Sequence, residues 1–202
     1  MIAHIPVLKK EVLEYLDIKP NENIIDGTIG EAGHSIEILE KNGPKGKILG
    51  IDQDAHQIEN SKLRLTEFKE RGILVNDSYA NIKDIIEKTG FGRADGILVD
   101  LGYSSWHLEE SERGFSFNKN EPLDMRYNEQ GETTAEKIIN EYAEIEIARI
   151  LTEYGEEKYS KKIARAIVSQ RKIKKITTTF ELKRIIEKAI QRHFDKIHPA
   201  TR

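Results

Sequence analysis

The residues most able to do chemistry stand in the run Asp26-Gly27-Thr28-Ile29-Gly30-Glu31-Ala32-Gly33-His34-Ser35, where an acidic residue ends a β-branched stretch and opens a glycine-spaced turn. Glycines there accept positive φ and let backbone N–H groups approach a ligand, and His34 or Ser35 could cap a following helix. A second carboxylate, Asp52, ends the run Lys47-Ile48-Leu49-Gly50-Ile51 about 25 residues later, the distance at which nucleotide-binding α/β folds place a ribose-binding acid. Asp77 and Asp100 follow further apolar runs in the same way. The turn lacks the Gly-x-Gly-x-x-Gly order that cradles a pyrophosphate, which counts against a nicotinamide dinucleotide. An acid-led glycine turn with Asp52 beyond it suits a cationic nucleoside instead: S-adenosylmethionine carries a sulfonium, an ammonium and ribose hydroxyls, all of which seek acceptors. Any one of these acids could equally serve a tight turn or a helix cap with no ligand.

The elements that must position these residues alternate. Helical spacing of apolar residues covers 7–16, and short apolar strands at 23–26, 47–51, 73–75 and 95–101 are separated by helices at 34–42, 55–71 and 81–89. Such alternation predicts an α/β fold with a parallel sheet whose ligands gather at the carboxyl ends of the strands. From Tyr103 to Gln130 neither period holds, which marks a long functional loop, and 133–192 reads as several helices. The expected organisation is a Rossmann-like domain over 1–105, a loop or lid over 106–130, a helical subdomain over 131–195, and a return towards the first domain at 196–202.

Composition narrows the chemistry. The 202 residues contain no cysteine, so disulfides, thiolate metal sites and thiol nucleophiles are excluded. No apolar run approaches the length of a membrane span and the first residues lack a signal pattern, so a cytoplasmic protein without membrane contact is expected. The formal net charge of -3 conceals an asymmetry: from Lys158 onward, Lys and Arg outnumber the three acids Glu181, Glu187 and Asp195 severalfold. That surface is either a partner face for a polyanion or a solvated helix face.

Several runs together resemble one family. Ile25-Asp26-Gly27-Thr28, Gly33-His34-Ser35, Asp95 to Gly102, Arg113-Gly114-Phe115-Ser116-Phe117, Pro122-Leu123-Asp124-Met125-Arg126, Tyr154-Gly155-Glu156-Glu157 and His198-Pro199-Ala200-Thr201-Arg202 are similar to the bacterial 16S ribosomal RNA cytosine-N4 methyltransferases. The resemblance covers essentially the whole chain. It implies a class I methyltransferase sheet with an inserted helical subdomain, and methyl transfer from S-adenosylmethionine to the exocyclic amine of a cytidine in the small ribosomal subunit. It also implies cofactor contacts at Asp26, Gly30, Ala32, Gly33, His34, Asp52, Tyr79, Asp100 and His107. Asp100, Ser104 and Asp124 are the candidates for orienting the amine or accepting its proton, and Trp106, Phe115, Phe117 and Tyr127 for stacking on the target base. Asp124 and Arg126 could instead form a structural ion pair. The chain departs from the family at Ala32, where glycine is usual, at Tyr103, where valine is, and at Trp106-His107, where Pro-Gln is common. Family members continue beyond the position of Arg202 into strands that complete the sheet. Only four strands are therefore expected here, with the fourth unpaired on one side and open to a second copy of the chain. The rival readings are a binding fragment without turnover and a methyltransferase for another nucleic acid.

Overall fold

A computed structural model describes residues 7–190 and 198–201. The expectations for the first six residues, and for Arg192, Lys196 and Arg202 in the basic segment, lie outside the described residues. The chain divides into two compact units, 1–102 and 103–202, so the segment expected as a lid falls within the second.

In the first unit, α1 (Lys9–Tyr15), β1 (Ile24–Asp26), α2 (Gly33–Lys41), β2 (Ile48–Asp52), α3 (Ala55–Arg64), β3 (Gly72–Asn76), α4 (Ile82–Thr89) and β4 (Gly96–Leu98) follow in order. The strands form one parallel sheet in the order β3-β2-β1-β4, in which β1 pairs with both β2 and β4. This is the order of the first half of a Rossmann fold, as the alternation predicts. Consecutive residues take opposite faces. Ile24 and Ile48 pack with Ile38, Leu39 and Ile58 from α2 and α3, and Leu13 and Leu16 of α1 join them. Ile25, Leu49 and Ile51 pack with Ile85 of α4 and with Phe91. Burial on both faces explains why these strands read as unbroken apolar runs.

Three boundaries differ from the sequence expectation. The helix from Ala55 ends at Arg64 rather than 71, and a 3-10 segment Thr66–Arg71 follows. The Thr66 hydroxyl donates to the Leu63 carbonyl at 2.7 Å, which turns the backbone away from further α-helical pairing. Strand β4 stops at Leu98 rather than 101, because the Asp100 N–H donates to Thr28 Oγ1 at 2.8 Å instead of joining a ladder. Beyond β1 it has no second neighbour among the described residues, and Ile97 and Leu101 are 55% and 72% exposed. The long loop also contains a short helix, α5 (Ser105–Glu109).

The second unit is built on α6 (Ala135–Glu141), α7 (Glu144–Glu153), α8 (Ser160–Arg171) and α9 (Thr179–Ile190) around Ile139, Ile147, Ile163, Ile167 and Ile186. Leu123 from the loop belongs to this core. Residues 113–126 are pinned to the helices. Leu123 N–H donates to Thr177 O at 3.1 Å, Thr179 N–H to Glu121 O at 3.0 Å, and buried Glu121 accepts the Gly114 N–H at 3.0 Å. Among the described residues, no helix is long and apolar enough to cross a membrane.

Candidate cofactor site

Because all four strands run parallel, their carboxyl ends share one edge of the sheet, and the acids stand along it in the order Asp77, Asp52, Asp26, Asp100. The loop 27–32 crosses this edge. Its anchors are backbone and hydroxyl groups: Gly27 N–H donates to Leu98 O at 2.9 Å, Ile29 N–H to Ile51 O at 3.0 Å, and Ser61 Oγ to Gly30 O at 2.6 Å. Both Gly30 and Ala32 take left-handed conformations, at φ 50° and 60°. Ala32 is fully buried and serves as the N-cap of α2 without a side-chain bond, so neither His34 nor Ser35 caps that helix. Left-handed geometry at a non-glycine residue carries a cost of order 1 kcal/mol, which the surrounding bonds must offset.

Each acid has its own environment. Asp26 is 2% exposed and accepts from Ser35 Oγ at 2.7 Å and from the Thr28 N–H at 3.2 Å. Burial pushes its carboxyl up from 3.8 to about 6, against the lowering effect of those two bonds and with a further push from Asp52 and Asp100. Its carboxylate therefore shapes the loop. Asp52 accepts the Gly30 N–H at 3.0 Å on one oxygen and the Asp54 N–H at 2.9 Å on the other. The Asp100 side chain is 58% exposed, and Oδ2 lies 3.9 Å from His34 Nε2. Asp77 turns aside to the next segment: Asn81 Nδ2 and the Ser78 N–H donate to it and hold its carboxyl below the usual range. Tyr79 is 40% exposed and lies over Gly27, where an added Cβ would meet Tyr79 Cβ at 3.3 Å and Leu98 O at 3.5 Å. Gly33 opens α2.

The structure thus gathers Asp26, Gly30, Ala32, Gly33, His34, Asp52, Tyr79 and Asp100 around one loop. Sequence reasoning gave Thr28 and Ser61 no role and took Ser35 for a helix cap, whereas these three hydroxyls lock the loop.

Three expected site residues belong to the second unit. Ser104 and His107 form a capping box at the start of α5: Ser104 Oγ lies 2.8 Å from His107 Nδ1, and the Ser104 N–H donates to the same nitrogen at 3.1 Å. The backbone donor aimed at Nδ1 makes that nitrogen the acceptor of the pair. His107 is buried among Trp106, Phe115 and Tyr127, with ring centroids 4.9–5.3 Å away. Phe117 lies apart from them and stacks on His198. Asp124 takes Arg126 Nε at 2.7 Å and Nη2 at 2.6 Å, while Arg126 Nη1 donates to the carbonyls of Glu129 and Gly131. The Arg126 hydrogen bond holds the Asp124 carboxyl below its usual range.

Comparison with known proteins identifies a family. The profile described as the MraW methylase family matches residues 1–202. A ribosomal RNA small subunit methyltransferase H from Acetivibrio thermocellus is 50% identical over 189 residues, covering 93% of this chain and 60% of that protein. Proteins of the same name from Clostridium botulinum strain Kyoto and Clostridioides difficile are 46% and 43% identical, with 98% of this chain and 64% and 65% of theirs covered. The chain thus spans somewhat under two thirds of the length of these relatives.

Proposed function

We propose, from the premise that this chain belongs to the MraW methylase family, that it binds S-adenosylmethionine and serves methyl transfer to the N4 amine of a cytidine in small-subunit ribosomal RNA, in the cytoplasm. The observation that carries the reading is the row of carboxylates at the sheet edge with the loop 27–32 folded across it. That donor set fits the cofactor. Acceptors at Asp52 and Asp100 match ribose hydroxyls and a cationic sulfur and ammonium, and the exposed part of the Tyr79 ring is a surface for adenine. The bound cofactor would supply an electrophilic methyl group on a sulfonium.

The protein's own groups would then hold the amine and manage its proton. A cytosine N4 lone pair is delocalised into the ring, so an acceptor at the N–H localises it for attack. Of the two carboxylates among the candidates, Asp100 is the more exposed, at 58% against 23% for Asp124. Ser104, whose hydroxyl lies 2.8 Å from His107 Nδ1, is the hydroxyl candidate for holding the amine. Asp124, doubly bonded to Arg126, is a weak base whose effect is to fix the segment around it.

The test is transfer of labelled methyl from S-adenosylmethionine to undermethylated small ribosomal subunits, followed by nucleoside analysis. N4-methylcytidine is expected, and label in another nucleoside would contradict the assigned target. The rival reading is a chain that binds cofactor and RNA without turnover. Cofactor binding without any transfer would establish it.

A further inference from the structure

Several surface cations of the second unit are paired with acids. Lys174 meets Glu181 at 2.5 Å, Lys175 meets Glu136 at 2.6 Å and Arg149 meets Glu153 at 2.6 Å. Helix α8 is different. Its sequence Ser-Lys-Lys-Ile-Ala-Arg-Ala-Ile-Val-Ser-Gln-Arg contains no acid, and Ile163, Ala164 and Ile167 face the core. Lys161, Lys162, Arg165, Ser169 and Lys172 then project outward along a stripe about 16 Å long. Arg165 reaches Glu144 only at 3.6 Å, and Lys158, Lys161, Lys162 and Lys172 are exposed with no ion pair among the described residues.

Two of these lysines stand where local physics disfavours them. Lys161 and Lys162 occupy the first turn of α8, at the positive end of the helix dipole, whereas α6, α7 and α9 carry Glu136, Glu144 and Glu181 in that position. No side chain caps the start of α8, and ammonium groups, which only donate, cannot satisfy its free N–H groups, so the two lysines do nothing for the helix end. Placements that break a local rule mark positions kept for a partner. Tyr154, 77% exposed, and Tyr159 lie in the turn that leads into the stripe.

We infer that the outward face of α8, from Lys158 to Lys172, is a track for the phosphates of single-stranded RNA, with Tyr154 as a stacking surface at its start. The inference rests on the RNA reading of the preceding subsection and assigns it a place. Cations without partners supply the sequence-independent attraction to a phosphate backbone. An exposed ring beside them favours a single strand over a duplex, whose bases are already stacked.

The test is fluorescence anisotropy of a labelled single-stranded 12-mer RNA between 50 and 200 mM salt, with the chain and three variants. In Lys158→Gln/Lys161→Gln/Lys162→Gln, affinity at low salt should fall tenfold or more, and the slope of log K against log salt should shrink by about 2, near 0.7 for each lost contact. Tyr154→Ala should weaken binding with the slope unchanged. Lys174→Gln/Lys175→Gln should match the parent. The melting temperature of the triple variant should equal or exceed the parent's, since repulsion from the helix dipole is relieved. Parental affinity and slope in the triple variant overturn the inference, as does a parent that ignores the single strand but binds duplex RNA or anionic vesicles. Titration with S-adenosylmethionine separates the two levels: cofactor binding equal in parent and triple variant leaves the cofactor site standing when the track fails, and a parent that binds RNA but no cofactor refutes the site alone.

Discussion

Asp26 shows how one residue can support a site at the expense of the fold. Its carboxyl is raised from 3.8 to about 6 in the folded chain, so the unfolded chain loses this proton first as pH rises. The associated stability is full below about pH 4, falls as pH passes from 4 to 6, and is flat above, a loss bounded by about 3 kcal/mol. Asp26→Asn keeps an acceptor for the Thr28 N–H and can donate to Ser35 Oγ, while removing the buried charge. The variant should be as stable as the parent or more so at pH 7.5, and should lose the decline between pH 4.5 and 6.5. Urea denaturation at four pH values would check this, and a variant clearly weaker at pH 7.5 would contradict it. The acids themselves were legible in the sequence, because each closes an apolar run. Their partners were not: Ser35 bonds inward to Asp26 rather than capping α2, a choice made by tertiary contact that no local pattern announces.

At the scale of elements, strands β1 to β3 and their helices were readable because burial on both faces leaves unbroken apolar runs flanked by turn residues. Helix α5 escaped notice because its capping box closes with His107 where Glu or Gln would be the usual sign. The order of residues 113–126 was equally hidden, since it comes from side-chain and backbone bonds to α9 and its approach, over 50 residues away in sequence, rather than from any period. Gly114 is the pivot of that segment: it has φ 82°, and an added Cβ would collide with the Pro122 carbonyl oxygen and lie 3.3 Å from Thr179 Cγ2. Gly114→Ala combines left-handed strain with a backbone clash, and should cost about 2–4 kcal/mol. Limited proteolysis should then cut within 103–130 in the variant and spare the parent; equal resistance would show that the segment is held by other means.

For the whole molecule, a four-stranded parallel sheet brings acids that are far apart in sequence to one edge, and the second unit has a helical core with an exposed basic face on α8. The proposed function joins these into one account, in which the sheet would hold the cofactor and the helical unit would meet RNA. The parallel sheet followed from the alternation of elements, whereas the exposed flank of β4 followed only from the resemblance to longer proteins. The central claim is that the carboxylates at the sheet edge grip a sulfonium nucleoside. Calorimetric titration of S-adenosylmethionine into the chain and into Asp52→Ala tests it most directly. The account predicts saturable binding by the parent, none for NAD, and a dissociation constant at least tenfold weaker in the variant, equivalent to about 1.4 kcal/mol or more. Equal affinity in the two proteins, or no binding by the parent, would contradict it.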